Sequence, residues 1–159
     1  MPGYDTMFEK DGKQLSWNWA SKRLRTSHNY WIASSRPDGR PHVMPVWGIW
    51  LDDMFYFSTG RFSRKSRNLV SNPNCVVCPE SAAEAVILEG QVRKVKDTDT
   101  LRRFGAAYKK KYNWDMGDLV ASKDPVYRVQ PRTVFGFVEN SKKVRGNPTR
   151  WRFAKERNR

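Results

Sequence analysis

The segment Ser58-Thr59-Gly60-Arg61-Phe62-Ser63-Arg64-Lys65-Ser66-Arg67-Asn68-Leu69 concentrates the groups best suited to hold an anion. It reads as a strand end, a glycine turn and a short basic helix over 63–71, with Ser63 as its cap. The first amides of a helix lack intrahelical acceptors and sit at the positive end of its dipole. Hydroxyls of Ser58, Thr59 and Ser63 add donors, and Arg64 and Lys65 add full charge, so the group suits a phosphate. A capped surface helix with solvated Arg and Lys fits the same composition equally well. The stretch before it, Pro41-His42-Val43-Met44-Pro45-Val46-Trp47, reads as a strand with two prolines. Proline cannot donate to a ladder, so this strand needs an edge or a break, which leaves backbone groups free to meet a ligand. Ordinary barrel packing is the competing reading.

Little else offers chemistry. Cys75 and Cys78 form a C-x-x-C, but residues three apart on a strand face opposite sides and could hardly share a metal. His28 and His42 are the only histidines. They support neither a metal centre nor a Ser–His–Asp triad, and His42 suits a ring contact or a satisfied structural histidine equally. No glycine-rich dinucleotide fingerprint or P-loop is present. No side chain stands out as acid or base, so no catalytic residue is assigned. The net charge of +14 attracts polyanions: nucleic acid, an anionic membrane surface or an acidic cofactor. The cations cluster at Arg61, Arg64, Lys65 and Arg67, at Lys109–Lys111, and from Lys142 to Arg159. A solvated surface is the plain alternative for each cluster.

The elements that must position these residues are short. Ser16 caps a helix to Thr26, in which Trp17, Ala20 and Leu24 share a face and the Trp17/Trp19 pair reads as packing. Strands are expected over 30–35, 41–50 and 54–58, with turns at Arg36-Pro37-Asp38-Gly39 and Leu51-Asp52-Asp53. Two more, 75–79 and 85–94, join through a turn at Ser81. Asp97 caps a helix to about Tyr112, with Leu101, Phe104 and Tyr108 on one face. Strands 126–130 and 133–139 flank Pro131, and 149–153 closes the chain. Residues 113–124 fit no element. Six or more short antiparallel strands predict a mainly β chain, a closed or nearly closed barrel with a few helices. The 159 residues suit one domain over 1–159, with flexible ends at 1–14 and 154–159. No apolar run reaches about 18 residues, and Met1–Lys10 lacks the apolar stretch of a signal peptide. A cytoplasmic protein without membrane insertion is expected.

The ordered set of motifs resembles the pyridoxamine 5'-phosphate oxidase-like family, especially its flavin/deazaflavin oxidoreductase branch. The hairpin from Tyr30 to Trp47 resembles that family's opening hairpin. Phe55-Tyr56-Phe57-Ser58-Thr59-Gly60, followed by Ser63-Arg64-Lys65 and Asn68-Leu69, resembles its cofactor-phosphate motif. Leu88-Glu89-Gly90-Gln91-Val92 is similar to the next strand, and Thr149-Arg150-Trp151-Arg152-Phe153 to the closing segment.

This resemblance implies a six-stranded antiparallel split β-barrel, like that of FMN-binding proteins, and a homodimer with the cofactor at its interface. By it, His42, Val43, Met44, Pro45, Val46 and Trp47 line the ring, and Ser58 and Thr59 meet the ribityl-phosphate region. Arg64 and Lys65 hold the phosphate beside Ser63, Asn68 supports them, and Trp151 and Arg152 close the site, from the same or the other subunit. The family includes binders of FMN, of the 8-hydroxy-5-deazaflavin coenzyme F-420, of haem and of biliverdin. The polyglutamate tail of coenzyme F-420 suits the basic excess, which places it ahead of FMN. The expected reaction passes a hydride between the reduced cofactor and a conjugated small molecule. True pyridoxamine-phosphate oxidases carry Arg-Leu-His where this chain has Thr149–Phe153, which argues against vitamin B6 as substrate. A non-enzymatic cofactor-storage protein and a basic nucleic-acid-binding module are the alternatives, the latter without a recognition motif.

Overall fold

The computed structural model describes residues 14–139 and 148–154. Of the flexible ends expected at 1–14 and 154–159, residues 1–13 and 155–159 lie outside the described residues, and so do the basic residues Lys142, Lys143 and Arg145. The chain runs α1 (Trp17–Thr26), β1 (Tyr30–Ser35), β2 (Pro41–Val46), β3 (Gly48–Leu51), β4 (Met54–Ser58), α2 (Arg64–Ser71), β5 (Asn74–Pro79), β6 (Glu84–Lys94), α3 (Thr98–Tyr112), β7 (Val126–Val138) and β8 (Thr149–Arg152). All pairings are antiparallel, in the order β2-β1-β5-β6-β7-β4-β3, with β8 added on β7. The two end strands, β2 and β3, are consecutive in sequence and separated only by Trp47. A sheet whose opposite edges are joined by one residue must roll up, so Trp47 marks the seam of a split barrel. Counted with β2 and β3 as one bent strand and β8 as an appendage, the barrel has six strands.

Two expectations are corrected. The strand expected over 41–50 breaks at Trp47, because Pro41–Val46 pairs with β1 and Gly48–Leu51 pairs with β4. The two strands expected around Pro131 are one continuous β7. Gly90 pairs with Pro131 and Glu89 with Thr133, so Arg132 is an extra residue, a bulge that accommodates the proline.

Alternation along β3 and β4 builds two cores. Phe55, Phe57 and Trp50 join Tyr30, Ile32, Val77, Leu88, Val129 and Val134 in the barrel, against Ala20 and Leu24 of α1. Tyr56 and Ile49 point the other way, onto the Leu101, Phe104, Tyr108 and Tyr112 face of α3. Strands covered on both sides read as unbroken apolar runs, which is why Met-Phe-Tyr-Phe lacks the two-residue alternation of a half-exposed strand. Trp17 meets Trp50, Trp151 and Phe153 edge-on, as expected of a packing residue. Among the described residues, no helix is long and apolar enough to cross a membrane.

Candidate functional site

The helix start is built as its sequence implies. Ser63 caps α2, its Oγ accepting from the Ser66 amide at 3.0 Å, while the Arg67 amide bonds the Ser63 carbonyl. The amides of Arg64 and Lys65 then have no acceptor among the described residues. The loop hydroxyls are engaged within the loop itself. Thr59 Oγ1 meets Ser63 Oγ at 3.1 Å, and Ser58 donates to the Pro125 carbonyl at 3.1 Å. The Arg61 amide binds Asp124. These hydroxyls therefore shape the turn around the two free amides.

Helix spacing puts Arg64, Lys65 and Asn68 on one side of α2. Asn68 is fully buried, and its Nδ2 donates to Ser34 Oγ at 3.1 Å, tying the helix to β1. Ser34 lies directly opposite His42, so this bond sets α2 beside the first residues of β2. Lys65 is 7% exposed, with its ammonium 5.9 Å from the Phe57 ring centre and no anionic partner among the described residues. Burial pushes it down to about 8. His42 Nδ1 is buried without a hydrogen-bond partner. Its imidazole is held below the ordinary histidine range, first by desolvation and then by Arg36, Lys65 and Arg64, so at neutral pH it is uncharged.

Arg36 is the member that sequence reasoning missed, having been read only as part of a turn. It lies two residues beyond Ser34, and its amide still pairs across the hairpin with the Arg40 carbonyl at 2.9 Å. Strand alternation thus sets Arg36 on the Ser34–His42 face. The signal was its position at an even spacing from Ser34, but the hairpin register had to be known to use it.

The strand expected to line the ring is open. Val43 and Met44, on opposite faces of β2, are each about half exposed, and Pro41 and Pro45 are exposed too. Its edge position is what tolerates the two prolines. Val46 turns into the barrel core. Trp47 stacks on Tyr112 at 4.7 Å and 3°, with its indole N–H on Asn29. A groove of about 450 Å³ lies between Ser34, Ser35 and Pro41 on one side and Asn74, Val76, Glu89 and Thr133 on the other. It adjoins the cluster only through Ser34 and Pro41 and is lined by none of the expected site residues. A larger recess of about 540 Å³, between α3 and the 115–120 loop, contains none of the expected site residues.

Trp151 and Arg152 are not brought to this cluster within one chain. They lie on β8, where Trp151 packs on Trp17 and Arg152 is exposed. The Lys109–Lys111 run is not one basic patch: Lys109 pairs with Asp115 at 2.8 Å, and Lys111 turns inward onto the Tyr30 hydroxyl and the Gly48 carbonyl. Cys75 is buried and Cys78 partly exposed, both free. Among the described residues no cluster of His, Cys, Asp and Glu is arranged for a metal.

A six-stranded antiparallel split barrel is the fold that the family motifs imply. Residues 20–137 match the pyridoxamine 5'-phosphate oxidase family. The chain belongs to that family. No curated protein matches the sequence. A conserved hypothetical protein from Mycobacterium tuberculosis is similar in structure, with a TM-score of 0.68 and 22% identity over 80% of this chain and 86% of that one. An F-420 reductase gives 0.58 and 22%, over 76% and 98%. A haem storage protein from Vibrio cholerae gives 0.65 and 15%, over 78% and 95%. At these identities the likeness establishes the fold, and the family contains both redox enzymes and other proteins.

Proposed function

We propose that this protein is a flavin- or deazaflavin-dependent oxidoreductase, with coenzyme F-420 preferred and FMN next, acting on a conjugated small molecule. The observation that carries this reading is Lys65, a largely buried lysine with no anionic partner among the described residues, beside the free amides at the start of α2 and the orphaned His42 Nδ1. A phosphate placed there accepts from the Arg64 and Lys65 amides and is neutralised by both side chains. Met44, which shares the His42 face of β2, supplies an apolar contact from which a flat ring excludes water, and the outer face of Trp47 borders it. When bound, the reduced ring supplies a hydride, and the chain contributes position and electrostatics. His42 stays neutral beside the site, which avoids a further positive charge next to the ring. No side chain of the cluster is a carboxylate, so the proton for the product comes from solvent or from the substrate's surroundings.

In this reading two copies of the chain enclose one ring site each. The exposed β2 strand covers only one side of a ring, and Trp151 and Arg152 reach the site as residues of a second subunit. Absorbance titrations with coenzyme F-420, FMN and haemin test the proposal. A spectral shift with either of the first two, weakened about a hundredfold or more by Arg64→Ala with Lys65→Ala, is the expected result. Tight binding of haemin alone would favour a cofactor carrier, as the haem storage relative suggests. Retained affinity in the double variant would reject the phosphate assignment.

A further inference from the structure

Arg64, Lys65 and two helix amides already suffice for one phosphate, yet the cationic face does not end there. Arg36 Nε and His42 Nδ1 are both buried without a hydrogen-bond partner. They share one face of the β1–β2 hairpin, at positions set by the Ser34–His42 pairing and the Arg36–Arg40 backbone bond. The hairpin's other arginine is saturated. Arg40 holds both carboxylate oxygens of Asp38, through its amide at 3.1 Å and its guanidinium at 3.0 and 2.6 Å. Asp38 is thereby committed to Arg40. The five residues Arg36–Arg40 thus carry an arginine with its own acid and, on the site face, an arginine whose buried Nε has no hydrogen-bond partner. Arg36 Nε is always a donor, and the neutral His42 ring donates from Nδ1 in its Nδ1–H tautomer; leaving a buried donor unmade is unfavourable, so the pair suits an acceptor.

We infer that Arg36 and His42 form a second anionic subsite continuous with the Arg64–Lys65 phosphate site, so that the ligand carries two acidic groups in succession. This rests on the reading that Arg64 and Lys65 take a phosphate. The shared chemistry is a phosphate followed at once by a second acid. The second acid is either another phosphoryl group, as in a dinucleotide's diphosphate, or a carboxylate, as in a phosphodiester carrying an acidic tail.

Calorimetric titration with orthophosphate, pyrophosphate and 2-phosphoglycolate tests it. A charge-assisted contact corresponds to roughly 10- to 150-fold in affinity. The wild type is therefore expected to bind at least one of the two-acid ions about tenfold or more tighter than orthophosphate. Preference for pyrophosphate assigns a diphosphate, and preference for phosphoglycolate assigns the tailed ester. Arg36→Gln should remove that margin while orthophosphate affinity stays within about twofold, and Arg36→Lys should keep part of it. Lys22→Gln, an exposed cation on α1, should leave the margin intact; an equal loss there would mean non-specific attraction and overturn the subsite. The subsite is also overturned if Arg36→Gln leaves the margin unchanged while Arg64→Ala with Lys65→Ala abolishes orthophosphate binding. If the wild type binds none of the three ions, the phosphate reading itself fails.

Discussion

Lys65→Met should make the ligand-free protein more stable and the ligand-bound protein harder to form. Methionine keeps the length and the contact with Phe57 but removes the buried charge. The drop of Lys65 from its ordinary 10.5 to about 8 corresponds to about 3 kcal/mol acting against the charged form in the folded state. That penalty is full below about 8, where the lysine is charged in both states. Between about 8 and 10.5 the folded lysine sheds its proton while the unfolded one keeps it. The unfolded state then binds more protons, so stability rises with pH and the penalty vanishes above 10.5. At pH 7 the variant should therefore melt higher, by up to ~6–12 °C for a chain of this size. Its advantage should shrink steadily between about pH 8 and 10.5. Lys111 titrates over the same window, so the difference between the two proteins is the quantity to read. Binding should move oppositely, the lost contact weakening a phosphate ester by roughly 10- to 150-fold. Thermal melts across pH 7–10.5 and an FMN titration measure both. A variant that melts at or below wild type at pH 7 and binds FMN unchanged would refute the reasoning.

Gly48→Ala should destabilise the fold by about 1–3 kcal/mol or more, measured by denaturant unfolding, because a Cβ there falls within the Phe55 ring and 2.9 Å from the Tyr56 carbonyl. Tyr112→Phe should cost about 1–3 kcal/mol and alter Trp47 fluorescence, since its hydroxyl accepts from the Gly48 amide at 2.9 Å and donates to the His28 or Gly48 carbonyl. Affinity for coenzyme F-420 should fall with added salt more steeply than affinity for FMN, because a tail held by scattered cations is screened over about 8–10 Å; coincident slopes in titrations at several salt concentrations would mean that the charge excess serves something else. Light scattering of the cofactor-bound protein should show a dimer at micromolar concentration, and a monomer would contradict the two-copy site.

The helices and most strands were legible because their signals are local. Ser16, Ser63 and Asp97 are caps followed by helical periodicity, and the structure starts a helix after each. The break at Trp47 was not legible, because it depends on which strands meet: nothing within Pro41–Trp50 says that its first half pairs with β1 and its second with β4. Pro131 misled in the opposite direction. It argued for two strands, but one extra residue at Arg132 absorbs it, and a bulge is fixed by the partner's register at Gly90. The phosphate loop was legible from composition and order, whereas the contribution of Arg36 depends on register across the hairpin. Lys109, Lys110 and Lys111 read as one patch, since charge alone does not reveal that helix rotation gives the first an acid and turns the third inward.

Lys65 and Lys111 show most directly what distinguishes a functional buried cation from a structural one. Each is lowered to about 8, chiefly by burial. Neither has a carboxylate within bonding distance among the described residues, so charge and titration behaviour leave them equivalent. Their donors separate them. Lys111 gives one hydrogen bond to the Tyr30 hydroxyl at 2.7 Å and another to the Gly48 carbonyl at 3.1 Å, and it lies over the Tyr30 and Tyr112 rings. It pins the barrel seam beside Trp47, and neutral acceptors satisfy it within the chain. Lys65 has only the Phe57 ring, at the longer distance of 5.9 Å. Unlike Lys111, it has no acceptor within the described chain, so its donors are left for solvent or an outside group to complete. The same helix turn leaves two amides free, and the facing hairpin leaves an imidazole and a guanidinium nitrogen unpaired. Two buried nitrogens, Arg36 Nε and His42 Nδ1, thus lack partners on the face where Lys65 and the α2 amides converge, beside one unpaired acceptor, Asn68 Oδ1, and it is the donors of this face that suit an anion.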